Sequence, residues 1–173
     1  MKANIKKQIA ENNARIEFLQ GQMEVYKRIQ NRWSKNEITW YQFDALCNKT
    51  FGQDTSVDQN MRYEIEFLKK WNMILTGDVQ MYANRRFYSD CDPYEIVEVK
   101  TPRMFVVRAM NCEHTGAPYE NKWNITSDAK GHTLNVSIRK SKRGYNIAIV
   151  GEDGSGSHFG LSEHPHKYYD YEF

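Results

Sequence analysis

The chain predicts an α+β fold: an N-terminal three-helix region followed by an antiparallel SH3-like β-barrel or curved sheet. Three observations carry this. Apolar residues in the first 72 positions recur at steps of three, four and seven, the spacing of one helix face. After Asn72 the pattern changes to period two. Between Gly77 and Met110, three short β-rich runs alternate with turn residues, as in a strand meander. The expected division is therefore a helical region over 1–72 and an antiparallel β-domain over 73–173.

The first helix follows from Ile5, Ile9, Ile16, Leu19, Met23, Tyr26 and Trp33, with Asn12 where an apolar residue belongs. Glu11 stands four before Arg15 and Glu24 four before Arg28 on the outer face. Gly21 interrupts it at a cost of about 1 kcal/mol against alanine. Such a stripe either packs on its own domain or forms a heptad seam with a second chain, Asn12 setting register. A homodimer through this helix is the partner reading it raises.

The second helix opens on a capping box, Thr39 with Gln42, and a staple of Ile38 on Phe43. Trp40, Phe43, Leu46 and Cys47 share one face, and Gly52 marks the stop. A third helix starts at Ser56, with Gln59 three residues on. Met61, Ile65, Leu68 and Trp71 form its stripe. Aromatics at this spacing are expected in the core.

In the β part, Tyr82 to Pro93 reads as a loop rich in turn residues. Tyr94–Val99 and Met104–Met110 pair across Lys100–Arg103. Residues 111–122 read as irregular, Trp123–Thr126 as a short strand, and Asp128–Gly131 as a turn. Leu134, Val136 and Ile138 alternate with polar residues, as do Tyr145, Ile147 and Ile149, giving the clearest hairpin. Gly151–Ser157 reads as a loop and His158–Leu161 as a last strand. The aromatic ending Tyr168–Phe173 is expected to dock, since a frayed one would expose apolar surface.

Charge is balanced, with 24 basic and 22 acidic residues and a net +2. That gives no bulk drive toward nucleic acid or membranes. Cys47, Cys91 and Cys112 are an odd set with no C-x-x-C pair, which argues against a disulfide framework or a thiolate zinc site. No run approaches the roughly 20 apolar residues of a membrane span, and the start does not read as a signal peptide. A reducing cytoplasm is the expected setting.

The β part resembles a diffuse family of small uncharacterised phage and prophage proteins. Gly77-Asp78, Tyr88-Ser89-Asp90, the Glu95–Lys100 strand, Val106-Val107, Arg139-Lys140 with Gly144, and the ending from Tyr168 to Phe173 carry the likeness. It covers roughly residues 77–173. Val79 departs from the family's second glycine, and Cys91-Asp92-Pro93 replaces a basic-small pair. The resemblance implies phage accessory work in the cytoplasm of an infected bacterium, including antagonism of host defence such as CRISPR systems. It transfers no catalytic residue.

Four other patterns invite chemistry. His164-Pro165-His166 beside Tyr168 and Tyr169 suggests the kit of a metal-dependent nickase, but Pro165 spoils the strand such a pair needs. Cys112-Glu113-His114 cannot share one ion from extended chain, because neighbouring side chains diverge. Gly151–Gly156 is followed by no helix that could cradle phosphate. Asp90 and Asp92 lack a third carboxylate.

The expectation is a non-enzymatic protein with no cofactor and no metal, acting by contact with a host protein or nucleoprotein. Its candidate partner-binding residues are Arg85, Arg86, Arg103, Arg139, Lys140, Lys142 and Arg143. The alternative is an SH3-like nucleic-acid-binding module, which needs these bases on one face with Tyr82, Phe87 or Tyr145.

Overall fold

The computed structural model describes residues 2–52, 56–87, 89–140, 147–152 and 158–170. Three helices, α1 (Lys2–Ser34), α2 (Trp40–Phe51) and α3 (Val57–Thr76), precede nine strands. These are β1 (Tyr82–Arg86), β2 (Cys91–Asp92), β3 (Tyr94–Thr101), β4 (Met104–Ala109), β5 (Asn111–His114), β6 (Trp123–Thr126), β7 (Thr133–Lys140), β8 (Ile147–Gly151) and β9 (His158–Ser162). The α+β expectation holds, and the sheet closes.

The stripe of α1 is spent inside the chain. Leu19, Tyr26 and Asn12 are buried. The Asn12 amide donates to Asn72 Oδ1 at 2.8 Å and accepts from Gln8 at 3.0 Å. Asn12 thus sets the register of α1 on α3, not on a second chain. A homodimer through this helix would have to use another face.

The capping box of α2 forms as expected. Gln42 N–H donates to Thr39 Oγ1 at 3.3 Å and Thr39 N–H to Gln42 Oε1 at 2.9 Å, with Ile38 and Phe43 buried as the staple. Gly52 closes α2 in the left-handed region at φ 69°. Ser56 makes no side-chain cap: its ψ of 7° departs from the extended backbone that aims a capping hydroxyl at N3. The α3 helix runs one turn past the expected boundary, burying Ile74 and Leu75 before Gly77 stops it at φ 74°. Gly77 is therefore a helix cap, and the first strand begins only at Tyr82.

The expected loop at 82–93 contains β1 and β2, which pair with Arg85 opposite Asp92 and Arg86 opposite Cys91. Its polar residues concealed a strand. Ala83 packs in the core. Asn84 is also buried; it accepts the His166 N–H at 2.9 Å and donates to the His164 carbonyl at 3.3 Å. A second correction falls at 111–114, which is β5, antiparallel to β6.

Strands β1, β3, β4, β7, β8 and β9 form a closed antiparallel barrel, β9 returning to pair with β1 from Tyr82–Ser162 to Arg86–His158. The expected hairpins β3–β4 and β7–β8 are both present, the first with register shifts near Val97 and Lys100. Residues 141–146, which hold the turn of the second, lie outside the described residues. Gly131 closes the expected turn on Asp128, and a Cβ there would stand 2.1 Å from the Ala109 carbonyl oxygen.

One connected hydrophobic core runs through both parts, from Leu19 and Met61 in the helices to Phe105, Val107 and Ile149 in the barrel. Two hydrogen bonds stitch the layers. Trp71 Nε1–H donates to the Pro102 carbonyl at 2.7 Å, and Arg103 donates to Gln8 Oε1 at 3.3 Å. The helices thus cover the barrel end that carries the β3–β4 turn.

Candidate functional site

The joint between α1 and α2 concentrates exposed aromatic surface. Asn36 turns the chain at φ 57°, and the Thr39 cap fixes the start of α2. Trp33, from the last turn of α1, then meets Trp40 and Phe43. Ring centroids lie 5.4 Å apart for Trp33–Trp40, 5.3 Å for Trp33–Phe43 and 5.5 Å for Trp40–Phe43. Phe43 is buried, whereas Trp33 is 39% exposed, Trp40 46% and Tyr41 84%. Periodicity placed Trp33 and Trp40 in the core. Their position at helix ends, where fewer neighbours can cover a large ring, was the overlooked signal.

Further along the helical layer, Arg15 clamps Glu64 through Nε–Oε1 at 2.9 Å and Nη2–Oε2 at 3.2 Å. The Arg15 guanidinium also lies over the Phe18 ring at 5.2 Å. Phe18 and Tyr63 are each about half exposed. A separate groove of about 670 Å³ runs between α1 and α3, with Met23 and Ile65 among its walls and charged residues at its rim.

The expected basic residues that are described come from separate elements of the barrel. Arg103 lies at the β3–β4 turn, tied to α1 through Gln8, and Arg139 is exposed near the end of β7 at the same side. Arg85 and Arg86 stand opposite Asp92 and Cys91 on one side; on the other, Arg85 faces Phe159, Phe159 faces Ile149, and Ile149 faces Ile138, the neighbour of Arg139. The Arg85 guanidinium stacks over Phe87 at 5.1 Å and Phe159 at 5.9 Å. Arg86 runs along Gly160. Lys140 ends β7, its side chain outside the described residues, as are Lys142, Arg143 and Tyr145 entirely.

Beside β2 the chain's last described residues dock through their backbone, while Tyr168 and Tyr169 stay exposed; residues 171–173 lie outside the described residues. Tyr168 and Cys91 exchange backbone hydrogen bonds at 2.9 and 3.0 Å. Lys167 pairs with Asp92 and lies over the Trp123 ring. Asp90 accepts the Asp170 N–H at 3.0 Å. Asp90 and Asp92 are thus occupied in holding this segment. The His164–His166 stretch is held by its backbone on Asn84, while His114 Nε2 lies 2.6 Å from the Glu120 carbonyl oxygen and its ring packs on Trp123.

Burial pushes the thiols of Cys47, Cys91 and Cys112 above the ordinary range, the opposite of nucleophile activation. Among the described residues no group of three or more His, Cys, Asp or Glu could hold a metal ion. Nor, among them, is any helix long and apolar enough to cross a membrane. Most of the glycine loop, residues 153–157, lies outside the described residues. No protein-family model, no curated protein and no solved structure matches this chain.

Proposed function

We propose that this is a phage accessory protein that works by binding, not by catalysis, and that its partner is a host protein or nucleoprotein, with inhibition of a host defence complex of the CRISPR kind as the concrete case. The phage assignment rests on the sequence resemblance over 77–173. The binding mode rests on one structural observation, the exposed Trp33–Trp40–Tyr41 cluster. Large aromatic rings offer much apolar area for little conformational entropy, and such residues dominate binding energy at interfaces. Neither indole N–H of this cluster has a hydrogen-bond partner among the described residues, so each can still donate to a partner.

The test is capture from infected host cells with the intact chain as bait, compared with Tyr41→Ala and with Trp40→Ala. Tyr41 is so exposed that its loss should leave folding unchanged, and thermal unfolding checks this. Partners retained by the natural chain should be depleted at least about ten-fold by each variant. A partner held equally well by all three baits would remove the aromatic cluster from the reading.

A further inference from the structure

The groove between α1 and α3 has a feature the monomer does not explain. Gly21 sits in the middle of a 33-residue helix, where glycine costs about 1 kcal/mol against alanine. A Cβ at Gly21 would meet no atom within 4 Å. Nothing among the described residues therefore requires glycine there. A missing side chain on an exposed helix face is what close approach of another backbone requires.

The groove's chemistry names the visitor. Its α1 residues are Glu17, Gln20, Gly21, Met23, Glu24 and Lys27, placed symmetrically about Gln22. Turned antiparallel on itself, this face sets Glu17 against Lys27 and Gln20 against Glu24, with Gly21 at its edge. An acid meets a base, an amide meets a carboxylate, and the missing side chain leaves room for a second backbone. On α3, which runs antiparallel to α1, Arg62, Ile65, Glu66 and Lys69 line the same groove. Among the described residues, Lys27 pairs with the exposed Glu24 at 2.7 Å and Arg62 with the half-buried Asp58 at 3.0 Å. Such surface pairs are worth little and can be exchanged. Glu17 and Glu66 have no ion pair among the described residues.

We infer that the α1–α3 groove is the contact of a homodimer, a second copy seating on it about a two-fold axis that passes beside Gly21 and crosses α1. An isologous patch must be complementary to itself, and the antiparallel arrangement is the one that brings the unlike charges together. This dimer is independent of the proposed host partner. It leaves the buried stripe of α1 within its own chain, and Trp33, Trp40 and Tyr41 lie beyond the groove.

The test is sedimentation equilibrium of the full chain up to on the order of 0.5 mM, a range that reaches weak associations. The natural chain should dimerise. Glu17→Lys and Lys27→Glu should each weaken association about ten-fold or more, because every change acts twice across the axis. The double charge swap should restore it. Gly21→Gln should also weaken it about ten-fold, whereas its thermal stability should match or exceed that of the natural chain, since the side chain enters open space. A monomer throughout this range overturns the proposal. So does a dimer indifferent to these changes, or one that the double swap fails to rescue.

Discussion

Arg15→Met tests what holds α1 against α3, and with it the shape of the groove between them. The Glu64 side chain is 2% exposed and the Arg15 side chain 33%. Their contact is bidentate, at 2.9 and 3.2 Å, the geometry in which charge-assisted hydrogen bonds are strongest. Removing the guanidinium leaves a carboxylate inside the helical layer with its main counter-charge gone. Breaking a buried ion pair from one side costs about 3–5 kcal/mol. Arg15 is open to solvent on one side, so water can partly replace it, and the lower end, about 3 kcal/mol, applies. For a chain of this length that is roughly a 9 °C fall in melting temperature. Urea unfolding measures the free energy directly. The diagnostic variant is Arg15→Met combined with Glu64→Met, which removes both charges and should recover most of the loss. A cost below about 1 kcal/mol for Arg15→Met, or a double variant no better than the single, would refute the account.

Two further outcomes follow from local chemistry. Thr39→Ala removes the hydroxyl that accepts the Gln42 N–H and should cost about 1 kcal/mol, while Thr39→Ser should stay close to the natural chain; denaturant midpoints distinguish them. Burial raises the folded-state pKa of Cys47, Cys91 and Cys112, and likewise of the Tyr26 phenol. Above about pH 8.5 the unfolded chain therefore holds fewer thiol protons than the folded one, so stability falls as pH rises past that point. Unfolding free energies at neutral and alkaline pH should show this decline. A flat or rising profile would contradict the burial of these groups.

How much of this was legible depends on which force set each element. The α2 cap was readable because Thr39, Gln42, Ile38 and Phe43 act within a few residues of one another. The β7–β8 pair was readable because alternation marks a half-buried strand. β1 was not, because Asn84 is buried to hold the backbone at His164 and His166, about eighty residues away. Asn12 was readable as a register residue but not as to its partner, since Asn72 lies sixty positions on. The basic residues lie far apart in the sequence, and only the closure of β9 on β1 sets Arg85 three strands from Ile138 and its neighbour Arg139. Periodicity also misjudged Trp33 and Trp40, whose exposure depends on what lies beside the helix ends.

The division at residue 72 raises a last question, whether the helices and the barrel unfold as one unit. Their apolar clusters are continuous, and Trp71, 3% exposed, donates across the boundary to the Pro102 carbonyl. A shared core argues for one cooperative transition. Trp71→Phe keeps the aromatic bulk but leaves that carbonyl without its donor, at a cost of about 1–2 kcal/mol. If the layers are coupled, helix melting followed by far-ultraviolet circular dichroism and barrel unfolding followed by near-ultraviolet signals should shift together, by the same amount. Two separate transitions, with only the helical one moved by the substitution, would mean that the core is continuous in contact yet divided in energy.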